Sequence, residues 1–275
     1  MYTLNCKGRL LVLDKPVVMG ILNITPDSFY SGSRIQQHEV LQKAEQMINE
    51  GATILDIGGQ STRPGSDRLT ADEELKRVLP AIEAIKKEFP YVFLSIDTYH
   101  AKVARETVAA GIDIVNDISA GDMDAAMLST VAALKVPFIA MHMQGTPDTM
   151  QQNPTYENIA REVIDSFIQK TTACKAAGIV DLILDPGFGF GKTITHNFQL
   201  LKNMEALQIF HLPVLAGLSR KSTIWKTLKI TPEEALNGTT VLNTIALTKG
   251  ASILRVHDVK EAMETIKLHE AYSKA

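Results

Sequence analysis

Cysteine is almost missing from this 275-residue chain: only Cys6 and Cys174 occur. Two thiols so far apart cannot build the disulfide framework of a small secreted domain, so a reducing, cytoplasmic setting is expected. Excess charge of either sign is lacking as well. The 28 basic side chains face 31 acidic ones, a net charge of −3, so no global field draws the chain to nucleic acid or anionic lipid, and any anion site has to be local. No stretch approaches the ~18 apolar residues of a membrane span. The opening Met1-Tyr-Thr-Leu-Asn-Cys-Lys-Gly8 carries no basic-then-apolar signal pattern, so neither export nor membrane insertion is expected. Linkers, low-complexity tracts and charge blocks are absent too, which leaves one domain over 1–275 as the expectation.

What is present is a folding composition, 45% hydrophobic and 21% charged, arranged as short apolar runs that alternate with segments of helical period. The runs predict strands over 17–23, 54–58, 93–97, 114–117, 137–142, 182–185, 213–217 and 253–256. Most are continuous Val/Ile/Leu, as strands buried on both faces require. Between them, Val40, Leu41, Ala44, Met47 and Ile48 make one apolar helical stripe, and Leu75, Val78, Leu79, Ile82 and Ile85 another. Thr70-Ala-Asp-Glu73 and Thr231-Pro-Glu-Glu234 have capping-box spacing and mark helix starts. Eight strand-then-helix units, spaced close to the ~30 residues of a βαβ unit, favour a single (β/α)8 TIM barrel over a doubly wound open sheet. The first sixteen residues, with Leu10-Leu-Val-Leu13, fit a short strand or hairpin closing the barrel bottom.

In such a barrel the residues just after each apolar run meet at one mouth. There the sequence places carboxylates and amides at Asp56, Asp97, Asn116 and Asp185, and cations at Arg63, Lys221, Arg255 and His257. Carboxylates and an Asn suit a planar heterocycle, whose amino and ring N–H groups they accept. Arginine forks beside them suit an oxyanion. A nitrogen-rich ring carrying a phosphoryl group is the implied ligand.

Five motifs in order carry a resemblance. Asn23-Ile-Thr-Pro-Asp-Ser-Phe29, Asp56-Ile-Gly-Gly-Gln-Ser-Thr-Arg-Pro-Gly65, Asp185-Pro-Gly-Phe-Gly-Phe-Gly-Lys192, Ser219-Arg-Lys-Ser222 and Arg255-Val-His-Asp258 resemble the dihydropteroate synthase family, the target of sulfonamides. The resemblance spans about residues 17 to 258. It implies a transferase that joins p-aminobenzoate to 6-hydroxymethyl-7,8-dihydropterin diphosphate, releasing diphosphate and forming dihydropteroate for folate synthesis. It also implies Mg²⁺ beside the diphosphate, sulfonamides as competitors and a homodimer.

Carried over motif by motif, the pterin would be held by Asp97, Asn116, Asp185 and Lys221. The diphosphate would meet Asn23, Thr62, Arg63, Arg255 and His257, with Mg²⁺ near Asn23. p-Aminobenzoate would lie among Thr62, Pro64, Phe190, Lys221 and Ser222 under Phe29. The implied course is dissociative: diphosphate leaves, and the aromatic amine attacks the cation left on the exocyclic methylene. Asp97, Asp185, Lys221, Arg63, Arg255 and His257 would carry that chemistry electrostatically. No Ser/His/Asp set or Gly-x-Ser-x-Gly elbow competes with this reading.

Two loops depart from the family pattern. Ser31 stands where an acidic residue is usual, and Gln60 where Glu is usual, for which only a local effect is expected. Asp56 reads as an anchor for its own loop through backbone N–H groups. The glycines at 187, 189 and 191 read as a tight backbone-lined turn, one residue short of a P-loop, with Lys192 solvated beyond it. His142 reads as a packing histidine, and His38, His100, His196, His211 and His269 as surface residues. Two rivals remain: a methyltetrahydrofolate-binding barrel, which needs no diphosphate clamp, and a non-catalytic pterin binder, which would bind without turnover.

Overall fold

A computed structural model describes residues 1–24, 34–60, 68–147, 149–150 and 152–275. The first two strands, β1 (Tyr2–Cys6) and β2 (Arg9–Leu13), pair antiparallel from Tyr2↔Leu13 to Cys6↔Arg9. Lys7 and Gly8, both at positive φ (52° and 90°), make the two-residue turn whose twist matches a hairpin. Alternation decides which face is buried: Leu4, Cys6, Leu11 and Leu13 point in, Leu10 and Val12 out.

Eight parallel strands follow: β3 (Val17–Asn23), β4 (Ile54–Gly58), β5 (Phe93–Asp97), β6 (Ile114–Asp117), β7 (Phe138–Met141), β8 (Leu182–Asp185), β9 (Leu215–Ala216) and β10 (Ile253–Val256). They run β8-β7-β6-β5-β4-β3-β10-β9, and β9 closes back on β8 through the Leu184↔Val214 bridge and Leu184 N–H donating to Pro213 O at 2.9 Å. The expected (β/α)8 TIM barrel is therefore what the chain forms. Its strand bounds agree with the apolar runs except at β7 and β9, which are shorter. At β9 only Leu215 and Ala216 keep ladder partners on β10.

Around the barrel lie α1 (Arg34–Asn49), α2 (Ala71–Glu88), α3 (Ala101–Ala110), α4 (Met127–Leu134), α5 (Ile159–Ala177), α6 (Ile194–Lys202), α7 (Ser222–Leu228), α8 (Leu236–Thr248) and α9 (Val259–Lys274), with a short 3-10 helix at Met204–Phe210 before β9. The stripes on α1 and α2 pack on outward strand residues such as Leu22, Leu55, Ile57, Leu94 and Ile96. Thr70 and Glu73 form the expected capping box of α2. Thr231 and Glu234 do not start a helix. Thr231 N–H donates to the Glu234 carboxylate at 2.9 Å, but the segment is a turn and α8 begins at Leu236. The carbonyls of Pro232 and Glu233 accept from Arg220 there, at 3.1 and 2.7 Å, and Pro232 O also accepts the Ala235 N–H at 3.3 Å, the i+3 bond of a turn.

Residues two apart on a strand share a face, and this sorts the barrel interior into layers. The lowest layer is apolar: Met19, Ile54, Ile114, Ile139, Ile183, Leu215 and Ile253, packed against the buried face of the β1–β2 hairpin. One pleat higher stand Asp56, Asn116, Asp185 and Arg255. The hairpin thus closes the bottom as expected, and the polar groups face the C-terminal mouth.

Candidate active site

Arg255 is the hub of the polar layer. Its Nε donates to Asp56 Oδ2 at 2.6 Å and its Nη2 to Asp97 Oδ2 at 2.8 Å. Asn116 Nδ2 donates to the same Asp56 oxygen at 3.2 Å. Three neighbouring strands and β10, at the far end of the sequence, are tied into one cluster.

Asp56 is therefore not a loop anchor. It lies mid-strand, inward and fully buried, and its partners among the described residues are Arg255 Nε and the Asn116 amide, with no backbone N–H among them. Asp56 Oδ1 and Ser95 Oγ, paired in register across β4 and β5, have no hydrogen-bond partner among the described residues. Arg255 also departs from the expected rim cation, since Nε and Nη2 are turned inward onto carboxylates.

On the opposite wall, Asp185 Oδ1 accepts the Gly187 N–H at 2.7 Å. Lys221 Nζ donates to the Phe188 carbonyl and lies 4.8 Å from the centroid of the Phe190 ring. Tyr99, Ile118 and Met141, with Met123, Met143 and Phe190 against them, form a small apolar cluster at the same mouth. Hydrogen-bonding walls beside an apolar and aromatic surface make a slot for a flat polar ring.

Burial sets the electrostatics. It pushes the Asp97 carboxyl up to about 7 against the pull of Arg255, with Asp56 and Asp117 adding to the rise. Asp185 is likewise raised by burial, opposed by Lys221 and the Gly187 N–H. Burial draws Lys221 down to about 8, opposed by Asp185. The Arg255 guanidinium is held above its usual range because Asp56 and Asp97 outweigh its burial. Carboxylates and cations tuned toward neutrality and converging on one mouth are the signature of a functional site.

Two motifs meet across β9 and β10. Ser219 Oγ accepts the His257 backbone N–H at 3.2 Å and lies 3.0 Å from His257 Nδ1. The Ser219 hydroxyl proton is then free to go to Nδ1, which puts the ring proton of His257 on Nε2. Burial and Arg255 pull His257 down to about 4. Arg220, at a positive φ of 53°, forks onto Asp258 with two contacts of 2.8 Å. This strut holds the turn that delivers Lys221 to the N-cap of α7 and Ser222 to its first turn. Asn23 ends β3 with an exposed side chain, its Oδ1 lying over Gly58, where a Cβ would come within 3.3 Å.

Of the residues singled out from sequence, Asp97, Asn116, Asp185, Lys221 and Arg255 converge, Phe190 joins them, and Asn23, Ser222 and His257 stand at the same end. Phe29, Ser31, Thr62, Arg63 and Pro64 lie outside the described residues. Sequence reasoning missed Asp56, Ser219, Arg220 and Asp258 as partners, although all four stand inside the quoted motifs. It also misread Lys192, which is 3% exposed and fully hydrogen-bonded. His142 packs as expected, against Tyr156 and Phe167. His100 and His196 are not simple surface residues: His100 Nε2 donates to Leu69 O at 3.2 Å, and His196 completes a capping box with Thr193.

The comparisons agree with this geometry. The family model described as "Pterin binding enzyme" matches residues 19–257. The dihydropteroate synthase of Escherichia coli is 45% identical over 268 residues, covering 96% of this chain and 94% of that one. The Yersinia pestis dihydropteroate synthase, solved with a sulfonamide drug complex, is 42% identical with a TM-score of 0.94 over 100% of both chains. The Xanthomonas albilineans dihydropteroate synthase, solved with 4-aminobenzoic acid, is 39% identical with a TM-score of 0.91, over 99% of this chain and 98% of that one. The chain belongs to the pterin-binding enzyme family, within its dihydropteroate synthases.

Proposed function

We propose that the chain joins p-aminobenzoate to 6-hydroxymethyl-7,8-dihydropterin diphosphate, forming 7,8-dihydropteroate and diphosphate for folate synthesis. The observation that carries the reading is the buried cluster of Asp56, Arg255, Asp97 and Asn116 facing Asp185 and Lys221 across the barrel mouth. Asp97, Asn116 and Asp185 accept from the pterin's amino and ring N–H groups, and Lys221 donates to its carbonyl edge. The carboxylates of Asp56, Asp97 and Asp185 outnumber the cations Arg255 and Lys221 here. That balance favours a pterin that becomes positive as diphosphate departs.

At the rim the Nε2–H of His257 takes up charge on the leaving oxygens, and Arg255, with Nε and Nη2 held by Asp56 and Asp97, offers its remaining N–H groups from below; the family resemblance adds Thr62 and Arg63, outside the described residues. p-Aminobenzoate approaches between Phe190, Lys221 and Ser222; the family resemblance adds Thr62, Pro64 and Phe29, outside the described residues. Sulfonamides compete for that place, a reading supported by the Yersinia pestis relative solved with a sulfonamide drug complex and the Xanthomonas albilineans relative solved with 4-aminobenzoic acid. No protein nucleophile is needed; the amine attacks the methylene carbon that diphosphate has left.

Mg²⁺ fits this end of the barrel on one count. Among the described residues no group of three or more His, Cys, Asp or Glu side chains is placed to hold a metal. Asn23 Oδ1 supplies a single hard oxygen, which suits an ion bound mainly by substrate phosphates and water. When bound, Mg²⁺ neutralises charge on the diphosphate.

The chain is proposed to work in the cytoplasm, where the buried thiols Cys6 and Cys174 stay reduced. No helix of the described residues is long and apolar enough to cross a membrane. A homodimer is supported by exposed apolar side chains on two adjacent helices, Val241 and Ile245 on α8 and Leu268 and Tyr272 on α9. Sedimentation checks it. Diphosphate release, followed with pterin diphosphate alone and then with p-aminobenzoate added, tests the reaction. Sustained release that depends on both substrates is expected; pterin binding without turnover would leave a mere binding protein.

A further inference from the structure

The glycine-rich turn after β8 touches both Asp185 and Lys221, yet glycines have no side chains with which to hold it. Gly187 (φ 68°) presses so close to the end of β7 that a Cβ there would lie 1.9 Å from His142 O. What spans this contact is Lys192. Its Nζ donates to Gly187 O at 2.9 Å, Phe190 O at 3.0 Å and His142 O at 3.2 Å, and lies 2.9 Å from His142 Nδ1.

We infer that Lys192 is a positioning residue for the pterin pocket: its buried ammonium draws the turn at 187–190 onto His142, and the turn in that position fixes Asp185 and Lys221. The inference rests on the reading of those two residues as pterin ligands. The turn works on both sides. Facing Lys192 it offers the carbonyls of Gly187 and Phe190; facing the pocket it offers the Gly187 N–H to Asp185, the Phe188 carbonyl to Lys221 and the Phe190 ring beside Lys221. Among the described residues two further anchors support it, one within the turn and one beyond it. Asn197 accepts the Gly189 N–H at 2.7 Å, and Tyr156 OH donates to Gly191 O at 2.8 Å.

The protonation state follows from the surroundings. Four acceptor atoms meet Nζ, and an ammonium has three N–H bonds to share among them while a neutral amine has two. Burial draws Lys192 down to about 7; the Asp185 carboxylate opposes this and Lys221 adds to it. His142 is itself pulled down to about 3 by burial and Lys192, so Nδ1 stays an acceptor. Near neutral pH the cage then sits close to the point where it loses its third donor. If the ammonium form shapes the pocket, pterin binding and proton binding at Lys192 must favour each other by the same factor.

Lys192→Met keeps the stem and removes the charge. The expected result, in protein shown by its thermal melt to be folded, is a rise of about tenfold or more in KM for pterin diphosphate, with bare pterin bound correspondingly more weakly. A folded variant with wild-type KM overturns the inference. A second measurement needs no variant and covers the case in which Lys192→Met does not fold. In wild-type protein carrying ¹³C-labelled lysine, the Lys192 resonance, assigned through its contact with His142, is titrated with and without saturating pterin. An upward shift of roughly half a pH unit or more on pterin binding, about threefold in proton affinity, is expected; an unmoved midpoint overturns the inference. Failure of the wild type to turn over its substrates would strike the proposed reaction instead, and the pterin titration still decides Lys192.

Discussion

The bottom and the mouth of this barrel are built from the same strands and the same inward face, one pleat apart. Ile54 lies below Asp56, Ile114 below Asn116, Ile183 below Asp185 and Ile253 below Arg255. The lower residues are buried against each other and the hairpin, each stabilising the fold by about 1.5–3 kcal/mol. The upper ones bury charge, which paired at best offsets its own desolvation. A single strand thus spends its first inward residue on stability and its second on chemistry. Changes below should move melting temperature and leave turnover alone; changes above should cut turnover whether or not the melt moves.

Arg255→Ala is the strongest test of that division. It removes the hub cation, and turnover should fall by roughly 10²–10³-fold, the scale for losing one preorganised electrostatic group. Asp56 and Asp97 would stay buried without their partner, so stability should fall as well, by up to about 3–5 kcal/mol. A diphosphate-release assay beside a thermal melt separates the two losses, and wild-type turnover would take Arg255 out of the site. Ile183→Ala is the matching change below. It should cost about 2–5 kcal/mol through the cavity it leaves. Its kcat/KM, measured well below the melt, should stay near the wild-type value, and a large drop in folded protein would break the separation of layers.

Asp185→Asn sharpens the comparison at a single side chain. The charge-assisted acceptor becomes partly a donor, and bare pterin should bind roughly 10- to 100-fold more weakly, in line with ~1.5–3 kcal/mol for a hydrogen bond to a charged group. Calorimetry with pterin alone reads this without the chemistry; unchanged affinity removes Asp185 from the ring's partners. The pH profile of the same binding should be smaller in effect and bell-shaped. Asp97 is a charge-assisted acceptor only as a carboxylate, so affinity falls as pH drops through about 7. Lys221 donates as a cation and Lys192 holds the turn as one, so it falls again as pH rises through about 7 and 8. Asp97→Asn should abolish the acid limb and leave the alkaline one. For stability the sign of Asp97 is opposite: its folded pKa lies above the ordinary 3.8 of an aspartate, so the native state holds the extra proton between about 4 and 7 and this group's contribution declines as pH rises through that window.

The lower layer was legible in the sequence because apolar runs report burial directly, and strand bounds at 54–58, 114–117, 182–185 and 253–256 agree with them. Convergence of the polar residues followed from the rule that strand ends meet. What could not be read is which polar groups touch. Asp56 meets a guanidinium 199 residues away, a pairing set by barrel closure and strand register and invisible to local pattern. Lys192 follows three glycines and looks solvated until the turn folds back on β7. At β9 the run 213–217 overstates the strand because the seam to β8 is a single bridge.

The smallest expected effect lies at the rim, at the one described loop position where this chain departs from the family pattern. Gln60 Nε2 donates to Tyr99 OH, and Gln60 Oε1 accepts the Leu69 N–H at 3.3 Å, so one amide ties the end of β4 to the approach to α2. His100, whose ring lies 4.5 Å from that of Tyr99, holds the Leu69 carbonyl from the other side. In Gln60→Glu both contacts can persist, because the Tyr99 hydroxyl turns to donate and the carboxylate still accepts from Leu69. Stability should change by no more than about 0.5 kcal/mol, with KM values close to wild type. Gln60→Leu deletes both contacts at equal length and should cost about 1–3 kcal/mol. The pair of variants, measured by melt and by KM for each substrate, asks whether the rim needs a charge or only a bridge. Equal damage from Glu and Leu would show that the neutral amide itself is required.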